Sequence, residues 1–417
     1  GGTDDGCWEP QTIELPSGEI HCYFANEYDY PGSNDQNISL CRSTDGGRTW
    51  SGREIVSYRK GHRDGMPVAI YMEDTREIIV AIEDNGWHTS RMQPSIIRTS
   101  DNWASGTVLA GSANREYALA EELDAVDNAA APYICRAKTG EIILSYQGTE
   151  DRDVPMQANG VKSTDYTQEM FVAVGDASGR GFTNKTTPFN LPLGPEPGDR
   201  SGFQGMWNSV AQLSDGTIFA VTSTNAYEYP KGGVWGMKGY LLNDIYPGKA
   251  GGISIDADTA DWDGAEPALV VAHGMSSRVY CYAAKNEGSL DLMFTGKTNT
   301  VSPSYYADDI KDGFEFIIAP ASSGQELRIA VPFDGNIFVD GSISLPSGFV
   351  YDRDTGADGT FVFECSIPKD YLDGKGLSGL SPVNLVLYDS DGNGAVDTGT
   401  VVHSDMEDKS TWLSVYL

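Results

Sequence analysis

The chain has 417 residues, 40% of them apolar, which is more than one ordinary core holds and predicts two or more domains. Its 60 Asp and Glu against 29 Lys and Arg leave a formal net charge of -31. Such a field repels a phosphate backbone and an anionic membrane surface, so nucleic-acid binding is not expected and a neutral or cationic ligand fits better. No run of about 20 apolar residues is present, so no membrane-spanning helix is expected.

The opening GGTDDG has neither a charged n-region nor an apolar h-region, as in a secreted protein whose signal is removed; a cytoplasmic chain would read the same way. The 48 glycines and 20 prolines argue for the many turns of an all-β protein. Six cysteines (Cys7, Cys22, Cys41, Cys135, Cys281, Cys365) without CxxC spacing predict neither a disulfide framework nor a zinc site. Cys22 and Cys41 stand where they could face each other across a hairpin centred near Gly32, and the expectation for the set is small buried hydrophobes.

In chain order, one pattern recurs four times: a strand, a tight polar turn, and a second strand. The turns are LPSGE (15–19), MEDTRE (72–77), KTGE (138–141) and LSDGT (213–217). β-rich runs follow them (IHCYFANE, IIVAIEDNG, IILSYQGTE, IFAVTSTN), and third strands are expected at 37–45, 94–101, 169–176 and 234–244. A period of this length with alternating strands predicts four-stranded propeller blades. STDGGRTW (43–50) matches the S-x-D-x-G-x-T-W pattern, and RTSDNW (98–103) reads as a degraded copy. The match resembles the Asp box of sialidase-like propellers, a turn between third and fourth strands. Asp and Ser cap it, Gly supplies unusual backbone angles, and Trp packs between blades. Four repeats do not close a six-bladed ring, which predicts about two further blades upstream.

Strand direction then separates two faces. The short turns share one, and the other collects CWEP (7–10), ANE (25–27), HRDGMP (62–67), IEDNGW (82–87), SYQ (145–147), GMWN (205–208) and TSTN (222–225). Loops rich in acids, amides and aromatics at one end of a propeller make a natural pocket. Hydrolysis of a glycosidic bond needs two carboxyl groups from different segments with pKa values pushed apart. Glu9, at the start of one first strand, and Glu83, at the end of a second strand one blade on, fit that need. The candidate substrate contacts are Trp8, Glu27, Arg63, Asp64, Asp84, Asn85, Tyr146, Gln147, Trp207 and Asn208. His21 and His62 have no ligand-like spacing.

Trp8-Glu9-Pro10, Arg63-Asp64-Gly65-Met66-Pro67 and Ile82-Glu83 resemble the W-E-P, R-P-G-M and Y-E order of family 93 glycoside hydrolases, exo-acting α-L-arabinanases on a six-bladed sialidase-type propeller. The resemblance implies a retaining mechanism with Glu9 as acid/base and Glu83 as nucleophile, and no cofactor for catalysis. Asp64 stands where the family has proline. The competing expectations are a non-catalytic glycan-binding protein of an uptake system and a sialidase. A sialidase would need an arginine triad, and of Arg63, Arg98 and Arg136 only Arg63 falls in a segment of the acidic face.

These readings place a propeller at 1–245, a linker at 246–252 and a further domain at 253–417. ISIDADTADW (253–262) and YYADDIKDGFEFII (305–318) resemble carbohydrate-binding module family 9 and DOMON-like β-sandwiches. Sugar binding there would draw on Trp262 and Trp412, the first of them in a structural position; docking or stabilisation is the competing role. DSDGNGAVD (389–397) has the oxygen spacing of a calcium loop at Asp389, Asp391, Asn393 and Asp397, but Thr400 replaces the closing Glu and the flanks read as strands, so a hairpin turn competes. The function expected is hydrolysis of an oligo- or polysaccharide by a secreted, periplasmic or cell-surface protein.

Overall fold

The structure is a computed structural model. It describes residues 6–88, 91–150, 152, 160, 162, 168–191, 203–227, 231–249, 252–273, 277–286, 288–298, 312–390, 396–401 and 404–417. The chain is all-β and forms two compact units, Gly1–Tyr240 and Leu241–Leu417.

The first unit is a run of antiparallel propeller blades. Blade one is β1 (Cys7–Glu14), β2 (Ile20–Asn26), β3 (Asn37–Ser43) and β4 (Glu54–Tyr58). Blade two is β5 (Asp64–Met72), β6 (Glu77–Asp84) and β7 (Gln93–Thr99); the short β8 (Val108–Leu109) then returns to pair with β4, and β9 (Arg115–Tyr117) closes blade two. Blade three is β10 (Ala129–Arg136), β11 (Ile142–Gly148), β12 (Glu169–Gly175) and β13 (Thr183–Thr186). Among the described residues, blade four has three strands, β14 (Gly205–Gln212), β15 (Ile218–Thr224) and β16 (Gly233–Gly239). The first strands β1, β5, β10 and β14 lie side by side.

Period-two alternation explains how a blade packs on both neighbours. In β6, Ile78, Val80 and Ile82 join Tyr23, Ala25, Ile38 and Leu40 of blade one. The intervening Ile79 and Ala81 join Ile134, Ile142, Leu144 and Tyr146 of blade three. Both faces of the middle sheet are therefore dry, and only its ends can carry polar chemistry.

The capped turn after β3 forms as its sequence implies. Ser43 Oγ accepts from Gly47 N at 2.9 Å, and Asp45 Oδ1 accepts from Thr49 N at 2.8 Å. Its Trp50 departs from expectation: the indole is 43% exposed and turns back to donate to Gly47 O. The degraded copy supplies the inter-blade tryptophan instead, since Trp103 is buried and donates to Tyr23 Oη at 2.9 Å. Cys22 and Cys41 are register partners, and all six cysteines are free thiols.

In the second unit, one sheet holds β17 (Gly248–Lys249), β18 (Leu269–His273), β19 (Ser277–Lys285), β20 (Ser289–Lys297), and later β24 (Val350–Thr355) and β25 (Thr360–Pro368). The other holds β21 (Gly313–Ile318), β22 (Leu327–Pro332) and β23 (Phe338–Val339). Next in the chain come β24 (Val350–Thr355) and β25 (Thr360–Pro368), then β26 (Leu380–Ser390), β27 (Val396–Thr400) and β28 (Leu413–Tyr416), which return to the second sheet. The two sheets close over a phenylalanine core in which Phe294 stacks on Phe314 at 4.7 Å.

The expected linker at 246–252 begins too late. Ile245 already bonds Ser414 and Tyr416, and Gly248–Lys249 pairs in parallel with β19, so these residues are stitched into the sandwich and the division falls after Tyr240. Trp262 and Trp412 are both buried, so neither indole is presented as a sugar clamp. In the calcium-loop segment, Asp391 and Asn393 lie outside the described residues, while Asp389 and Asp397 are cross-strand partners.

Candidate active site

The acidic end of the blades is built on one repeated irregularity. Each first strand slips register against its second strand, just after the pairs Trp8↔Ala25, Gly65↔Glu83, Ala130↔Gln147 and Met206↔Ser223. The residue at the slip has a left-handed backbone every time: Glu9 (φ 51°), Met66 (φ 46°), Ala131 (φ 50°) and Trp207 (φ 54°). None is glycine, so each stores roughly 1–2 kcal/mol of backbone strain. β-Bulges re-aim side chains and backbone groups at strand ends, and here they free an N–H for another partner.

Two of those partners are side chains from the second strand of the preceding blade. Ala131 N donates to Glu83 Oε2 at 3.0 Å, and Trp207 N donates to Gln147 Oε1 at 2.8 Å. Blade one has Ala25 at the equivalent place and offers no acceptor. There Met66 N donates to Glu9 Oε2 at 3.3 Å. Glu9 and Glu83 thus occupy consecutive cradles on one face and act on each other electrostatically.

Burial pushes the Glu83 carboxyl up to about 7; the Glu9 charge adds to this, while the Ala131 N–H and Arg63 oppose it. Glu9 is also raised by desolvation, against the Met66 N–H and Arg63, with Glu27 adding to the rise. Gly65 makes the approach of Glu83 to β5 feasible, because a Cβ there would lie 2.8 Å from Glu83 Oε1. Glu27 closes one side of the pair: its carboxylate accepts from Trp8 Nε1 at 2.9 Å and pairs with Arg63 at 2.5 Å. Trp8 itself is 43% exposed, so one edge of its ring remains available.

Several expected contacts lie elsewhere. Asp64 and Asp84 are fully buried cross-strand partners beneath the face, which corrects their placement among the substrate contacts. Arg115 reaches both, at 2.5 Å to Asp64 and 2.6 Å to Asp84, with Ser57 and Arg59 completing their bonds. Like charges directly opposed in a sheet repel, and Arg115 is what holds them together. Asn85 bonds the Arg63 backbone and closes the end of the hairpin. Tyr146 is a core residue, stacked on Phe171 at 5.4 Å with its hydroxyl on Glu150, so it too is corrected from a face position. Gln147 and Asn208 are buried at the face end, and Trp207 stands out at 61% exposure.

Sequence reasoning missed the backbone cradle and Arg115. The cradle had a signal, for Glu9-Pro10, Met66-Pro67 and Ala131-Pro132 repeat a proline at one place in successive strands, where proline favours a bulge. Arg115 had none, because its partners are 51 and 31 residues away.

Among the described residues no His/Cys/Asp/Glu group suited to a metal is present, and no helix is long and apolar enough to cross a membrane. No family model and no curated protein matches the chain. Among solved structures, a Penicillium chrysogenum α-L-arabinanase with arabinobiose aligns over 88% of this chain and 95% of its own, at 12% identity and a TM-score of 0.39. An exo-1,5-α-L-arabinanase from a bovine ruminal metagenomic library covers 56% of this chain and 78% of its own, at 12% identity and a TM-score of 0.36. A family 9 carbohydrate-binding module from Caldicellulosiruptor kristjanssonii with cellotriose covers 42% of this chain and 92% of its own, at 14% identity and a TM-score of 0.34. Likenesses this slight assign no residue, substrate or mechanism to this chain.

Proposed function

We propose that the first unit is a glycoside hydrolase whose carboxyl pair is Glu9 and Glu83. The observation that carries this reading is Glu83 cradled by the Ala131 N–H beside a second carboxyl group on one open face, its own carboxyl pushed up to about 7 by desolvation. A group titrating near 7 can be protonated at the start of the reaction and can release its proton to a leaving oxygen. The electrostatics therefore favour Glu83 as the acid/base and Glu9 as the ionised partner, the reverse of the roles that the family 93 resemblance implies. Glu9 would attack the anomeric carbon in a retaining reaction, with Trp8, Glu27 and Arg63 shaping the sugar position.

The substrate class is a neutral glycan. The face carries three glutamates, and Arg63 is already engaged by Glu27, so an anionic sugar is poorly matched. L-Arabinofuranosyl glycans follow from the resemblance as the first candidates. The test is release of aryl alcohol or reducing sugar from a panel of neutral aryl-glycosides and polysaccharides, with product stereochemistry read by proton NMR. Retention supports the nucleophile role of Glu9. Wild-type turnover that survives Glu83→Gln sinks the assignment.

A further inference from the structure

The cradle that holds Glu83 is repeated one blade further on, where the acid has become an amide and the small residue an indole. Glu83 and Ala131 correspond by register to Gln147 and Trp207. The two cradles touch, because Asn208 Nδ2 donates to Ala131 O at 3.3 Å and Ala131 N bonds Glu83. From these contacts we infer that Trp207, Gln147 and Asn208 form a second sugar subsite, adjoining the Glu83 cradle and taking a neutral furanose or pyranose ring of an oligosaccharide.

Three observations define what such a site would recognise. Trp207 is 61% exposed although it is a large aromatic, and its backbone is held at φ 54°, where glycine would be relaxed. The bulge shared with the other three first strands fixes the direction of this ring, and an aromatic face stacks on the apolar face of a sugar. Next to it, Asn208 is 93% buried, yet among the described residues its Oδ1 has no hydrogen-bond partner. An orphan buried acceptor costs about 1–3 kcal/mol unless something donates to it. Gln147 uses its Oε1 to accept from Trp207 N, so its amide Nε2 is the donor it has left to offer. A donor, an acceptor and an aromatic platform together suit vicinal hydroxyls above a ring face. They offer no charge to an anion or a cation.

The subsite leans on the glycosidase reading only for the choice of probe, and the experiment separates the two. Full-length Glu83→Gln protein, with and without a second substitution, is titrated calorimetrically with α-1,5-arabinotriose, xylotriose and cellotriose, while wild-type hydrolysis of the same sugars is followed in parallel. Trp207→Gly is the first variant, because glycine relaxes the backbone there and leaves folding intact. It should weaken binding of one trisaccharide by roughly tenfold or more, the scale of one lost stacking contact. Asn208→Leu, which cannot accept, should weaken it further when the thermal transition is unchanged. Tryptophan-dependent binding without hydrolysis upholds the subsite and removes the enzyme assignment. Hydrolysis together with undiminished binding by Trp207→Gly overturns the subsite and leaves the enzyme standing. Absence of binding to all three sugars overturns the subsite.

Discussion

Two enclosed glutamates, one in each unit, have opposite surroundings. Glu364 in the sandwich is fully buried and accepts three hydrogen bonds, from Asp256 N, Ala257 N and Trp262 Nε1. Those donors fasten the 253–263 segment to the sheet, so the carboxylate is a structural rivet. Glu83 in the propeller receives one backbone N–H, faces another carboxyl group, and has its pKa pushed up to about 7. Three donors make Glu364 a fastening point, whereas Glu83, with one donor and a second carboxyl group nearby, is placed to exchange a proton.

Substitution at the two sites should separate these roles. Glu83→Gln is expected to lower turnover by about 10²–10⁴-fold with the thermal transition preserved, measured on whichever glycoside proves active. Near-wild-type turnover would remove Glu83 from the chemistry. Arg115→Met leaves Asp64 in the core facing Asp84 without a cation of its own, while Asp84 keeps Arg59. A loss of about 3–5 kcal/mol in urea unfolding is expected for it. A neutral result would mean that the two aspartates share a proton instead. Glu364→Gln keeps the shape but sets an amide N–H against donors that both oxygens now accept from, and should destabilise the sandwich by about 2–3 kcal/mol, read as loss of amide-exchange protection at 253–263.

The smallest expected effect is in pH dependence, and its sign follows from the raised Glu83 carboxyl. Glu83 has a folded pKa above the unfolded value of 4.5, so the folded state holds its proton longer. Below about 4.5 the group is neutral in both states and costs nothing. Between 4.5 and about 7 stability falls as pH rises, and above 7 the full penalty remains. Glu83→Gln should thus match wild type at pH 4 and exceed it at pH 8 by roughly 1–3 kcal/mol. Equal differences at the two pH values would mean an ordinary carboxyl. In wild-type kcat/KM the basic limb should sit near 7. In Glu9→Gln, which lacks the proposed nucleophile, the Glu83 titration followed by carboxyl NMR should move to lower pH, because the Glu9 charge is one of the causes that raise Glu83.

Much of the fold was legible because the blades are local. Their strands alternate with period two, their turns are short and polar, and each pairs with the next strand in the chain, so β1–β3 and β5–β7 could be read off directly. The pair Glu9 and Glu83 was legible for the same reason: hairpin direction alone sends both to one face. Asp64, Asp84 and Tyr146 were misplaced because hairpin direction gives the end of a strand but not its depth. Which carboxylates sink below the face depends on a cation from another strand, and Arg115 comes from β9.

By itself, the sequence determined the all-β class, the run of repeated blades, the change to a second unit, and an acidic face bearing Glu9 and Glu83. Tertiary structure decided where the units divide and which acids are satisfied. It also decided which backbone N–H groups are released by the bulges and how far burial raises the Glu83 carboxyl. Apart from the bulges, which left a local trace in the repeated prolines, those outcomes depend on distance and desolvation between segments far apart in the chain, and no local pattern of residues encodes them.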